Sequence, residues 1–224
     1  GYRAGGIARL LIMQERFIRV RRTARYHVIG DAATAKRVWI VLHGYGQLAR
    51  YFLHKFEGLQ KDLLIVAPEG LSRFYVDEAH RRVGATWMTR EDREQEIQDY
   101  VEYLDLLASE ILQNVPKDTG LGILGFSQGV ATACRWAMLG STKIEELVVW
   151  SGSLPLELDQ DTLASEFAKI RVTVVQGSKD RIVPRTVAED TAALLRLAGI
   201  QHKVATFDGG HELEPVLLRK VLVG

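Results

Sequence analysis

Gly125-Phe126-Ser127-Gln128-Gly129 sets one serine between two glycines, each two residues away. An apolar run, residues 121–124, precedes it, and a helix-like stretch, residues 130–139, follows. Short strand, Gly-x-Ser-x-Gly, then helix is the pattern of a nucleophile elbow, where a tight, strained turn exposes the hydroxyl above a sheet. The small residues on either side let strand and helix pass without a Cβ clash. The pentapeptide is short enough to arise by chance, and Ser127 alone would read equally well as a helix N-cap. A serine hydroxyl is a weak nucleophile at neutral pH. It needs a base to take its proton and a third group to hold that base. In an open parallel sheet such partners gather at the carboxyl ends of strands.

Two later segments supply them. After the apolar run 172–175 comes Gln176-Gly177-Ser178-Lys179-Asp180-Arg181-Ile182-Val183-Pro184, with Asp180 five residues past the run. After the run 204–207 comes Asp208-Gly209-Gly210-His211. The chain order Ser127, Asp180, His211 is that of an α/β-hydrolase. In that arrangement His211 takes the Ser127 proton as Oγ attacks an ester carbonyl, and Asp180 fixes the imidazole tautomer. Water activated by His211 then resolves the acyl-enzyme. Asp208 is a rival acid, only three residues before the histidine. Read singly, Asp180 is a turn or capping residue and His211 a surface histidine; the ordered set points to catalysis.

The oxyanion of such a reaction needs donors. The expected ones are the backbone N–H of Gln128, directly after the nucleophile, and that of Tyr45, in the loop His43-Gly44-Tyr45-Gly46-Gln47. That loop follows another apolar run, residues 38–42, and His43 is expected to order it by hydrogen bonding. His27, His54, His80 and His202 show no paired metal-ligand spacing, so no metal is expected.

These groups need a frame. Continuous apolar runs at 38–42, 63–67, 121–124, 147–150, 172–175 and 204–207 read as buried parallel strands. Helical patterns separate most of them: 91–112, with Ile97, Tyr100, Val101, Leu104, Leu107, Ala108 and Ile111 on one face, then 185–197 and 212–221. The alternation predicts an α/β fold, a mostly parallel sheet with helices on both faces. Residues 17–20 and 25–29 read as early edge strands, with Arg16, Arg19, Arg21, Arg22 and Arg25 as a solvated face protecting the sheet edge. Residues 68–86 fit no core element and read as a loop over the site. Trp39, Trp150 and Cys134 read as core.

The chain has 224 residues, enough for one α/β domain. A net charge of +1 gives no reason to expect nucleic acid. One cysteine excludes an intrachain disulfide and demands no oxidising compartment, no apolar stretch approaches a membrane span, and the expected location is cytoplasmic. The run 7–13 is too short for a signal-peptide core and has no clear cleavage site. Met13 is the expected native start, with 1–12 an expression remnant or upstream read-through and 13–224 a single domain.

The chain resembles the carboxylesterase/phospholipase family of α/β-hydrolases, which includes small bacterial carboxylesterases, lysophospholipases and acyl-protein thioesterases. The resemblance rests on His43-Gly44-Tyr45-Gly46, Ala67-Pro68-Glu69-Gly70, Gly125-Phe126-Ser127-Gln128-Gly129 and Ser151-Gly152-Ser153-Leu154-Pro155. Gly177-Ser178-Lys179-Asp180 with Val183-Pro184, and Gly210-His211, complete it. Trp87 matches a tryptophan common ahead of the long helix in that family. Val130 and Gln47 depart from it, standing where glycine and aspartate are usual. The resemblance implies a compact hydrolase of carboxylic esters with no large cap, no cofactor and a possible homodimer. The expected activity is on short- to medium-chain acyl esters, with a lysophospholipase or long-chain thioesterase as the alternative and a non-catalytic binding protein as a third reading. Trp87, Phe74, Tyr75 and Leu154 are the expected substrate contacts.

Overall fold

Long-range pairing of the apolar runs builds the frame. In the computed structural model, which describes residues 13–224, the strands are β1 (Tyr26–Ile29), β2 (Arg37–Leu42), β3 (Leu63–Pro68), β4 (Ser72–Tyr75) and β5 (Val83–Thr86). They continue with β6 (Gly120–Phe126), β7 (Glu146–Trp150), β8 (Arg171–Gly177) and β9 (His202–Phe207). Seven form one sheet in the order β1-β3-β2-β6-β7-β8-β9, parallel except for β1, which runs antiparallel to β3. The helices are α1 (Ala49–Leu53), α2 (Arg93–Leu112), α3 (Gln128–Leu139), α4 (Gln160–Glu166), α5 (Arg185–Leu197) and α6 (Pro215–Val223). This is the α/β-hydrolase architecture read from the sequence, without a large cap. No helix among the described residues is long and apolar enough to cross a membrane. The expectations for residues 1–12 lie outside the described residues.

The period of two along each strand divides the core. Val38, Ile40 and Leu42 of β2 join the core layer built with α2, α3, α4 and α5, while Trp39 and Val41 join the opposite layer with α1 and α6. Cys134 and Trp136 of α3 are fully buried in the first layer, and burial pushes the Cys134 thiol up to about 12. Trp39 and Trp150 fill the second, as expected of core residues. The predicted helix 212–221 begins instead at Pro215. Glu214 caps it, accepting the N–H groups of Val216 and Leu217, and proline suits the first turn, where its missing N–H costs nothing.

Two expectations are corrected. Residues 17–20 form no strand: the chain from 13 to 25 runs outside the sheet. Its arginines work individually, Arg19 pairing with Glu102 and Arg25 reaching the buried Glu69. Residues 68–86 are not an irregular loop. They fold into an antiparallel hairpin of β4 and β5, whose turn is held by Asp77 accepting the backbone N–H groups of Arg81 and Arg82.

Candidate active site

Ser127 leaves β6 with φ +54° and ψ −118°. A non-glycine residue holds a positive φ only where its surroundings impose it. Here the Ser127 N–H donates to Trp150 O at 3.0 Å, and the Val130 N–H donates to Ser127 O at 3.0 Å. A Cβ at Gly129 would overlap the Leu42 carbonyl, so only glycine lets α3 start against the end of β2. The Ser127 side chain stays half-buried, and among the described residues its hydroxyl makes no hydrogen bond within the protein.

Asp180 and His211 sit on loops leaving the neighbouring strands β8 and β9. Their side chains meet, Asp180 Oδ2 lying 2.8 Å from His211 Nδ1. The Asp180 carboxylate is fully enclosed. Its Oδ1 accepts the N–H groups of Ile182 (2.8 Å) and Val183 (2.9 Å), and Oδ2 also accepts from Gln176 Nε2 at 3.1 Å. Burial pulls its pKa up, but hydrogen bonds from Val183, His211 and Ile182 together outweigh it and hold the carboxyl below its ordinary value. An ionised Asp180 only accepts, so Nδ1 of His211 bears the proton and Nε2 is left to accept one. The rival Asp208 is mostly exposed and engages Lys179 and Ser178 instead. Ser178 N–H to Phe207 O and Lys179 N–H to Gly209 O bind the two loops together. Trp150, whose carbonyl holds Ser127, also donates Nε1–H to Glu212 O at 2.8 Å. One strand end thus steadies both the elbow and the histidine loop. Ser127 and His211 are not hydrogen-bonded to each other; the imidazole ring lies 4.9 Å from that of Phe126. Hydrogen bonds of this kind commonly tighten only around a substrate.

The loop after β2 is ordered by polar contacts. His43 is fully buried. Its Nε2 accepts the Gly70 N–H at 3.0 Å, so Nδ1 carries the proton and donates to Gly44 O at 2.8 Å. Burial, the largest influence, pushes the His43 pKa down and keeps the ring neutral, against the smaller pull of the Gly44 bond and Glu69. Trp87 Nε1–H donates to His43 O at 2.9 Å, and Gln47 Oε1 accepts the Gly44 N–H at 2.8 Å, the acceptor role open to the aspartate usual there. The hairpin closes over the far side: Gly46 N–H to Ala85 O at 2.9 Å and Ala85 N–H to Gln47 O at 3.1 Å. A side chain at Gly84 would collide with Gly46, so β5 can press this close only as glycine. A Cβ on Gly44 would stand 3.2 Å from Ser127 Cβ, which sets the loop beside the serine. Among the described residues the N–H groups of Tyr45 and Gln128 donate to no protein acceptor. Two unpaired donors flanking a serine can stabilise a developing oxyanion.

The expected substrate contacts scatter. Phe74 packs against Tyr45, ring centroids 5.0 Å apart, beside the loop after β2. Tyr75, next along β4, points the other way, is exposed and stacks near His80. Leu154 packs onto the helical layer. Trp87 is corrected from a substrate contact to a support: with 2% of its surface exposed it has almost none to offer, and it braces His43 from below. Sequence reasoning missed Gln176, Gln128's side chain and Glu69. Gln128 Nε2 donates to Thr86 Oγ1 (2.8 Å) and Met88 O (3.1 Å), tying the elbow to the hairpin exit. Glu69 lies in the quoted Ala67-Pro68-Glu69-Gly70 motif and binds Arg25 at 2.7 Å, Arg73 at 2.6 Å and the Ala49 N–H at 3.2 Å. Among the described residues, no group of three or more His, Cys, Asp or Glu is arranged to hold a metal ion.

The model of the FSH1 serine hydrolase family matches residues 33–213. No curated protein matches the chain. Among solved structures, acyl-protein thioesterase 2 of Zea mays superposes with a TM-score of 0.67 at 21% identity, over 89% of this chain and 96% of that one. A carboxylesterase from Mesorhizobium loti gives 0.69 at 17%, over 90% and 95%. The Bacillus cereus carboxylesterase gives 0.66 at 15%, over 88% and 91%. At such identities these likenesses speak for the fold alone. The match to the family model covers far more than half of the chain, from the strand before His43 to just past His211, and on that ground the chain belongs to the FSH1 serine hydrolase family.

Proposed function

We propose that this protein is a serine carboxylesterase that cleaves short- to medium-chain acyl esters through an acyl-enzyme. The observation that carries the reading is the 2.8 Å contact between the enclosed Asp180 and His211, on loops beside the strained Ser127 elbow. Ser127 Oγ attacks the ester carbonyl while His211 Nε2 takes its proton. Asp180 keeps the imidazole in the tautomer that can accept and stabilises the imidazolium that forms. The N–H groups of Tyr45 and Gln128 hold the tetrahedral oxyanion. His211 passes its proton to the leaving alcohol, then draws one from water, which releases the acid and restores Ser127.

Hydrolysis of nitrophenyl esters from acetyl to palmitoyl, by wild type and Ser127→Ala side by side, tests the reading. Turnover that falls at long chains and vanishes in the variant is the expected result. Turnover that rises with chain length would replace it with a lysophospholipase or long-chain thioesterase. Equal rates in both proteins would remove Ser127 from the mechanism.

A further inference from the structure

Beside the loop that carries Tyr45 lies a cavity of about 540 Å³. Its walls are α1, the Gly46 and Gln47 end of the loop, and the turn end of the hairpin. Four cationic side chains line it, Arg50 and Lys55 from α1 and the turn that follows it, and Arg81 and Arg82 from the hairpin, and no acidic residue does. Elsewhere four arginines pair with buried or half-buried carboxylates: Arg25 and Arg73 meet Glu69, and Arg93 and Arg135 meet Glu157. Among the described residues none of the four cavity cations lies within ion-pair distance of a carboxylate. Arg50 instead donates to the Tyr51 hydroxyl at 2.6 Å and lies over its ring, 4.4 Å from the centroid, which holds its charged end in place. Asp77 accepts the backbone N–H groups of Arg81 and Arg82, one on each oxygen, which fixes where those two side chains emerge.

Like charges converge on one concavity at a cost unless an anion offsets them, and the arginine fork matches the paired oxygens of phosphate or carboxylate. The place matters as much as the charge. Gly46, in the cavity wall, follows Tyr45 directly in the chain, so the cavity borders the loop that carries the Tyr45 N–H.

We propose that this cavity binds a negatively charged group, carboxylate or phosphate, carried on the ester substrate, so that the enzyme favours anionic over neutral esters. The proposal rests on the esterase reading above, and its test separates the two.

Matched esters are compared by kcat/KM at low salt: nitrophenyl butyrate against nitrophenyl hydrogen glutarate, and monobutyryl glycerol against monobutyryl glycerol phosphate. The first pair carries the charge on the acyl side, the second on the alcohol side. Each is assayed with wild type, with Arg81→Gln/Arg82→Gln, and with Lys143→Gln/Lys203→Gln, which removes the same charge from exposed positions outside the cavity. In at least one pair the wild type prefers the anion by about tenfold, the worth of one good charged hydrogen bond. The Arg81/Arg82 variant loses that preference while its melting temperature and its rate on the neutral esters hold. The Lys143/Lys203 variant keeps it. The pair that responds identifies the side of the ester facing the cavity. No preference for the anion in either pair, or an equal loss in both double variants, overturns the proposal. Failure of the wild type on the neutral esters as well would instead overturn the esterase reading.

Discussion

Asp180 and His211 ride on loops leaving two adjacent strands, whereas Tyr45 rides on a loop held by its polar contacts. The first region inherits its precision from the sheet. β8 and β9 are in register through six residue pairs, and the loops that extend them are already side by side before any side chain is counted. The second depends on a chain of single hydrogen bonds: Gly70 to His43, His43 to Gly44, Trp87 to His43, Gln47 to Gly44, and the hairpin to Gly46 and Gln47. Removal of one group from the first region should therefore abolish chemistry without moving the frame. Removal of one from the second should shift the frame and weaken chemistry by degrees.

The largest effect tests the first region. Asp180→Asn should lower kcat on nitrophenyl butyrate by about 10⁴, because an amide there favours the wrong imidazole tautomer, and Ser127→Ala by at least as much. Both should melt within a few degrees of the wild type. A kcat within tenfold of wild type for Asp180→Asn would take the acid's role away from this residue.

A smaller effect should follow in the second region. Trp87→Phe removes the N–H that holds His43 O and nothing that touches substrate, so kcat should fall by roughly 10- to 100-fold, less than the loss of an oxyanion donor itself. KM for nitrophenyl butyrate should stay put. Unchanged kcat would show that the loop does not need this brace.

The pH dependence of stability should also separate the regions. The folded-state pKa of His43 is lowered from the ordinary 6.5, so as pH falls below about 6.5 the unfolded chain takes up a proton that the folded one refuses. Stability is full above 6.5 and declines below it, by at most about 1.4 kcal/mol per pH unit for this one group. His27, also lowered chiefly by burial, acts in the same direction. Calorimetric melting from pH 7.5 to 5.5 should show a steeper decline in the wild type than in His43→Asn. Parallel curves would mean that His43 does not titrate against folding.

The smallest effect is expected at Asp208. Its carboxylate is exposed and reaches Lys179 and Ser178 but not the histidine, so Asp208→Asn should change kcat/KM by less than about threefold. A loss approaching that of Asp180→Asn would reverse the choice of acid.

The difference between the two regions also explains what could be read from the chain. The runs at 38–42, 121–124 and 172–175 are apolar on both faces because both faces are covered, and that pattern survives in one dimension; 204–207 is the edge strand, with Val204 exposed, and only its Ala205 and Phe207 join the core. Ser127, Asp180 and His211 each follow such a run, so strand ends and chain order were enough to group them as candidates. Residues 17–20 misled because a short apolar stretch crowded by arginines mimics an edge strand, while pairing needs a partner that local pattern does not reveal. Trp87 misled for a similar cause: a tryptophan at a loop-to-helix boundary has the same sequence signal whether it faces a pocket or braces a carbonyl.

Strand identity, strand ends and the order of the reactive residues are thus properties of the chain alone, since they follow from local periodicity and from where apolar runs stop. The docking of the hairpin onto Gly46 and Gln47, the neutral tautomer of His43, the choice of Asp180 over Asp208 and the convergence of Arg50, Lys55, Arg81 and Arg82 belong to the tertiary structure. Each depends on groups tens of residues apart meeting at hydrogen-bond or Coulombic range, and no local pattern encodes such distances.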